Sequence, residues 1–241
     1  MIEVRDVSKG YFGTPVLEGV SFVADTGAVC GLIGYNGAGK TTLLHVVAGV
    51  YRPEAGCVLL DGEPVWESAA KKAEVFMLTE NLYFLPGATL DGMRKFYSGY
   101  MPSWDDGVYE RLADAFCLAR DQKAAGFSKG MRRQAALVLA FAARPRYLLL
   151  DEVYDGLDLV MRRVTSALLA DYVEKAAATV IVTSHNLREL EDGIDQLAMI
   201  RRSRLSYVGP VADIRERHGT LEEYFLGERE VDESAFSGVF G

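Results

Sequence analysis

Cysteine is scarce in this chain of 241 residues: Cys30, Cys57 and Cys117 are the whole supply. They are far apart, odd in number and never in CxxC spacing. That argues against a disulfide framework or a thiolate metal site, and it fits a reducing compartment. Cys30 and Cys57 sit in apolar runs, where a small core residue is expected. Long apolar runs are also missing. The longest helix-compatible one, about Ala135 to Ala143, falls far short of the roughly 20 residues that span a bilayer, so any membrane role has to be carried by a partner. The first residues, Met1-Ile2-Glu3-Val4-Arg5-Asp6, carry charge too early for an apolar signal region, and no secretion signal is expected. Positive charge is in deficit, with 26 Lys and Arg against 34 Asp and Glu and a formal net charge of -8. So acidic a surface repels phosphate backbones, and nucleic acid is not expected as a partner.

What remains is an ordinary globular composition, 49% apolar and 25% charged, long enough for one α/β domain with a full core. Strands are expected at Ile2–Val7 and Val16–Val23. Ala28–Ile33 is nearly all apolar and runs into a glycine, as a buried central strand does. A helix should start near Gly39. Cys57–Leu60, Asp61-Gly62 and Glu63–Trp66 read as a hairpin, because Asp-Gly favours a tight turn. Val75–Leu78 is a further strand, after which the period becomes helical through Leu90, Met93, Phe96 and Tyr97. Helices follow at about Asp106–Phe116 and Ser128–Ala143. Strand signals return at Tyr147–Leu150 and Thr179–Thr183, with a helix around Leu159–Ala176 between them. A hairpin (Leu197–Ile200, Leu205–Val208) and a helix near Leu221–Leu226 close the domain. This order predicts a three-layer α/β core over residues 1–226, with a mostly parallel sheet, N-terminal antiparallel strands and a helical subdomain inserted at about 80–142. Residues 227–241 read as a loosely ordered acidic tail.

Gly34-Tyr35-Asn36-Gly37-Ala38-Gly39-Lys40-Thr41 matches the phosphate-loop pattern G-x-x-x-x-G-K-[ST], and it lies after a buried strand and before a helix, as that pattern requires. Gly34, Gly37 and Gly39, with Asn36 and Ala38 between them, let the backbone wrap closely and aim its N–H groups inward. The helix start adds partial positive charge. Lys40 is expected on the β- and γ-phosphates of a nucleotide, the Thr41 hydroxyl on Mg²⁺, and Thr42 near the α-phosphate. Kinases, GTPases and motors share this loop, so it establishes phosphate binding and nothing finer. Tyr147–Leu150 ends in Asp151-Glu152. Asp151 is expected to hold Mg²⁺, and Glu152 is the candidate general base for an attacking water. After Thr179–Thr183 comes Ser184-His185, and His185 is a candidate γ-phosphate sensor at the same sheet edge. His45 and His218 read as structural or surface residues.

These elements, in this order, resemble the ATP-binding cassette family over about residues 2–226. Phe127-Ser128-Lys129-Gly130-Met131 resembles the family signature, Asp155-Gly156-Leu157-Asp158 follows the Walker B acids, Tyr11 stands at the adenine-stacking aromatic, and His185 matches the switch histidine. The resemblance implies that Ser128 and Gly130 cap the γ-phosphate bound by an opposing chain, so two subunits sandwich ATP head to tail. It also implies ATP and Mg²⁺ as cofactors, a separate transmembrane permease as partner, and a cytoplasmic place on the inner face of the membrane through that partner. Three positions depart from the pattern: Lys129 replaces a glycine, Met131 leaves the signature without its Gln or Glu, and Glu80 stands where a glutamine bridges Mg²⁺ and the permease. A carboxylate can still serve the metal. Lys129 is expected to add positive charge near the phosphate entry. Lys129-Gly130-Met131 and Tyr100–Asp105 resemble compact bacterial exporter ATPases. Asn81–Leu85 is either a docking surface for the permease or core packing. The alternatives are a soluble, non-transport ATPase of the same class and a P-loop kinase of small molecules. A GTPase is disfavoured by the lack of an Asn-Lys-x-Asp motif.

Overall fold

A computed structural model describes residues 1–227 except 185, 186, 188, 189, 191 and 192. The predicted γ-phosphate sensor His185 and the predicted tail beyond residue 227 therefore lie outside the described residues. Two sheets organise the chain. The first is antiparallel, in the order β2-β1-β4-β5, and comprises β1 (Ile2–Tyr11), β2 (Thr14–Ala24), β4 (Ala55–Leu60) and β5 (Glu63–Pro64). Residues of β2 alternate between buried and exposed, the period of a strand covered on one face. The β4–β5 connection is Asp61-Gly62, both with positive φ (49° and 80°), the conformation a two-residue hairpin requires. The second strand of the hairpin was expected to run to Trp66 but ends at Pro64, with one further bond from the Val65 N–H to the Val58 carbonyl at 3.1 Å.

The second sheet has the order β10-β9-β3-β8-β7-β6. It contains β3 (Val29–Gly34), β6 (Val75–Leu78), β7 (Tyr147–Leu150), β8 (Thr179–Thr183), β9 (Gln196–Arg201) and β10 (Arg204–Pro210). Only the β9–β10 pair is antiparallel. Every residue of β3, β7 and β8 is buried, as expected for central strands covered on both faces. The register aligns Leu78, Leu150 and Val182 across β6, β7 and β8, and Leu32 with Thr183 across β3 and β8. The segments leaving β3, β6, β7 and β8 therefore emerge along one edge, at the C-terminal ends of parallel strands, where ligands bind in such sheets.

Helix α1 (Lys40–Val47) packs between the two sheets. On the other face of the large sheet lie α5 (Lys129–Ala142), α6 (Leu159–Ala176), α7 (Val211–His218) and α8 (Leu221–Gly227). Helices α3 (Leu90–Ser98) and α4 (Asp106–Ala115) enclose a separate cluster with α5, built on Leu90, Met93, Tyr109, Val138 and Leu139. Thr89, Asp105 and Ser128 cap α3, α4 and α5 by accepting N–H groups of the first turn, the device that stops a helix start from leaving orphan donors. Two short helices carry no strong pattern and were not foreseen: α2 (Ala69–Ala73) and α7. No helix among the described residues is long and apolar enough to cross a membrane.

The expectation for cysteine holds at one position and fails at another. Cys30 is buried in β3, and burial pushes its thiol up to about 12. Cys57 is exposed, because the first half of β4 runs out beyond the covered part of its sheet.

Candidate functional site

The phosphate loop leaves β3 and turns into α1. Gly37 and Gly39 have φ of 79° and 103°, angles that cost other residues strain. A Cβ on Gly39 would lie 3.0 Å from the side chains of Leu17 and Val16 and from the Val16 carbonyl. No side chain caps α1 and no acidic residue occupies its first turn, so its leading N–H groups are aimed at whatever sits in the loop. The Lys40 ammonium folds back over the loop, donating to the Gly34 carbonyl at 2.9 Å and the Tyr35 carbonyl at 3.5 Å. It also lies 3.8 Å from Glu152 Oε1.

Below the loop a line of hydrogen bonds crosses three elements. The Thr41 hydroxyl donates to Asp151 Oδ2 at 2.7 Å. The Thr183 hydroxyl donates to Asp151 Oδ1 at 2.7 Å and accepts the Glu152 N–H at 2.9 Å. Asp151 and Thr183 are buried, and a buried carboxylate has to be satisfied in this way. Glu152 holds φ of 49°, a left-handed conformation that costs a non-glycine residue on the order of 1–3 kcal/mol. The bond to Thr183 holds it there and turns its side chain toward Lys40.

An open cleft of about 540 Å³ gathers most of the predicted residues: Asn36, Gly37, Ala38, Gly39, Lys40, Thr41, Thr42, Glu80 and Glu152 line it, joined by Val16 and Asp155. Its size suits a nucleotide. Gly34 and Asp151 lie beneath it and reach it through Lys40 and Thr41. Tyr11 does not line it. It is half-exposed at the end of β1, edge-on to Tyr51, which stacks on His45, and His45 Nδ1 lies 2.7 Å from the Thr41 carbonyl. His45 is thus structural, as expected, and His218 packs against Tyr224. A wider groove of about 790 Å³ flanks the β1–β2 hairpin and is lined by none of the predicted site residues.

Ser128 and Gly130 sit at the exposed start of α5. The Ser128 oxygen accepts the Met131 N–H at 3.2 Å, which uses a lone pair and leaves the O–H to donate outward. Lys129, expected to add charge at the phosphate entry, is instead paired with Asp155 Oδ2 at 2.7 Å. In Asn81–Leu85 only Tyr83 among the apolar side chains is well exposed. Leu82, Phe84 and Leu85 pack against the core or the helical block, so core packing accounts for most of that segment.

The donor set suits Mg²⁺. Thr41 and Asp151 bring two hard oxygens within 2.7 Å of each other, and Mg²⁺ takes few protein ligands while keeping phosphate and water. The charge balance asks for such a cation. Glu80 and Glu152 line the cleft beside the Lys40 ammonium, while Asp155 is paired with Lys129, so a triphosphate would add several negative charges that a divalent cation offsets.

Two residues central to this geometry escaped the motif reading. Thr183 was legible only as a strand end. Arg133 is one of three cations, with Lys129 and Arg132, in the first turns of α5, and no local pattern sets it apart; in the fold it is buried at 2% exposure with donors to the Thr79, Glu80 and Asp155 carbonyls. Burial lowers its pKa, while Asp155, Glu80, Asp151 and Glu152 push the other way.

Comparison with known proteins agrees with this geometry. Residues 17–155 match the model of the family described as ABC transporter. The chain is 30% identical over 229 residues to the ABC transporter ATP-binding protein YtrB of Bacillus subtilis (strain 168), across 93% of this chain and 77% of that one. It is likewise 30% identical over 222 residues to the Fe(3+) ions import ATP-binding protein FbpC 1 of Rhodococcus jostii (strain RHA1), where it spans 88% of its own length but only 63% of the relative's. The solved structure of an ATP-binding subunit of an ABC transporter superposes with a TM-score of 0.86 at 27% identity, covering 94% of this chain and 98% of that one. The chain therefore belongs to the ABC transporter family, as an ATP-binding subunit that hydrolyses ATP.

Proposed function

We propose that this subunit powers a separate transmembrane permease, closing with a second nucleotide-binding subunit around ATP and reopening after hydrolysis. The observation that carries the reading is the convergence, at one sheet edge, of the phosphate loop, the Thr41–Asp151–Thr183 line and Glu152. Lys40 and the leading N–H groups of α1 grip the phosphates. Thr41 and Asp151, with Glu80 at the cleft wall, would hold Mg²⁺, which when bound neutralises phosphate charge and polarises the γ-phosphoryl group. Glu152 accepts the proton of the attacking water, with the Lys40 ammonium 3.8 Å from its Oε1. Ser128 and Gly130 close over the partner's nucleotide, Tyr11, at the end of β1 outside the cleft lining, stacks on an adenine that extends past the cleft, and His185 senses the γ-phosphate. The place of action is the cytoplasmic face of the membrane, reached through the permease.

Lys129-Gly130-Met131 favours export. Import is the second reading, favoured by the name of the Rhodococcus relative. Vesicles carrying the permease and this subunit separate them by the side on which substrate accumulates. The catalytic reading is tested with Glu152→Gln. The variant should retain Mg-ATP, accumulate as a dimer on size exclusion and release phosphate about 10²–10⁴-fold more slowly, the usual contribution of a general base. Parental turnover in that variant would remove Glu152 from the mechanism.

A further inference from the structure

Helix α5 does more than present Ser128. Lys129 and Arg133 stand four residues apart and so share one face of the helix, and both reach the same residue of the segment that follows β7. The Lys129 ammonium takes the Asp155 carboxylate at 2.7 Å, and Arg133 Nε donates to the Asp155 carbonyl at 3.3 Å. The contact between helix and segment is close. A Cβ on Gly156 would lie 3.1–3.2 Å from the Lys129 stem, and one on Gly130 would lie 3.1 Å from the Gly156 carbonyl. The other two arms of the Arg133 guanidinium donate to the Thr79 and Glu80 carbonyls, each at 3.3 Å. One buried fork therefore ties together the helix carrying Ser128, the segment after β6 that carries Glu80, and the segment after β7 that carries Glu152 and Asp155. A planar guanidinium with fixed donors suits this task, whereas an ammonium is a point charge with a shorter reach. Arg133 does not line the cleft, but Glu80, Glu152 and Asp155 do.

We propose that Arg133 is a positioning residue for ATP hydrolysis, fixing the Glu80 and Asp155 segments to the signature helix so that movement of the helical block is delivered to the nucleotide cleft, with Lys129 as a second, exposed grip on Asp155. This rests on the functional reading above. It concerns how the cleft is held rather than what it binds.

The test compares the purified full-length chain with Arg133→Met, Arg133→Lys and Lys129→Met. Methionine roughly matches the length of arginine but leaves the Thr79, Glu80 and Asp155 carbonyls without their donor, which costs stability, so Arg133→Lys, which keeps a charged donor, guards the test against loss of the fold. Lys129 is exposed, so its variant also keeps the fold in hand. Amide hydrogen exchange is the first readout. Arg133→Met should exchange about tenfold or more faster at both 79–81 and 155–157, with β7 and β8 unchanged, since local opening is separable from global unfolding. Lys129→Met should affect only 155–157, and Arg133→Lys should fall between parent and Arg133→Met. The second readout is kinetic. Arg133→Met should lose about tenfold or more in kcat while its affinity for ATP without Mg²⁺ stays within about twofold, because the phosphate loop is untouched. Unchanged exchange at both segments, or exchange raised uniformly along the chain, would overturn the proposal. A parent that releases no phosphate from ATP would instead refute the functional reading, and the exchange pattern would still decide the role of Arg133.

Discussion

The Thr183 hydroxyl is a single group with two partners, and replacing it separates hydrogen bonding from packing. Thr183→Val keeps the volume and the β-branching of a central strand residue but removes the donor to Asp151 Oδ1 and the acceptor of the Glu152 N–H. A hydrogen bond to a buried carboxylate is worth about 1.5–3 kcal/mol and an orphaned N–H costs about 1–3 kcal/mol, so the loss should be about 3 kcal/mol. For a chain of this length that corresponds to a fall in Tm of about 6–12 °C. Thr183→Ser keeps both bonds and gives up one buried methyl, about 1 kcal/mol, or about 2–4 °C. Packing alone predicts the opposite order, since valine fills the site and serine does not. Scanning calorimetry decides the order, and a Mg²⁺ titration in the presence of ATP adds a second measure. Loss of the bond that aims Asp151 should weaken the metal about 10–100-fold in the valine variant only, as is usual for groups supporting a ligand. If Thr183→Val matches the parent in Tm, or the serine variant is the weaker of the two, then Asp151 is not held in the way described.

Gly39→Ala should abolish ATP binding measured by equilibrium dialysis, because the added Cβ meets Leu17 and Val16 at 3.0 Å in a backbone conformation that alanine resists. Ser128→Asp retains a good helix cap and so should leave Tm within about 2 °C of the parent. It should also prevent ATP-dependent dimers on size exclusion, because a carboxylate would face the partner's phosphate. Cys30 is buried with its thiol pushed up to about 12, so at pH 8 it is protonated as well as shielded. Iodoacetamide should therefore add two labels to the native chain, at Cys57 and Cys117, and three after denaturation, counted by mass spectrometry. A third label on the folded protein would contradict the placement of β3.

Much of the fold was legible in the sequence because its signals are local. The apolar run of β3 ending in Gly34, the Asp61-Gly62 turn and the helical periods of α3 to α6 each state their conformation within a few residues. The same holds for the phosphate loop, where the glycines and Lys40 belong to one contiguous stretch, and for the two acids closing an apolar strand. Cys57 shows the limit of such reading, because an apolar neighbourhood in sequence does not say how far a sheet is covered. Short helices such as α2 carry too few turns to show a period, and tertiary contacts decide them.

By itself the sequence determined that the chain binds a nucleotide phosphate, that it builds an alternating α/β core, and that it carries a helical insertion before the strand that ends in Asp151-Glu152. Only the tertiary structure decided that Thr183 orients Asp151, that Lys129 pairs with Asp155, and that Arg133 joins segments 22 to 54 residues away from it in the chain. The physical reason is one of range. Backbone conformation and hydrophobic period are imposed by neighbours in sequence. A hydrogen bond between side chains from different strands or helices exists only once the sheet has set their ends in register.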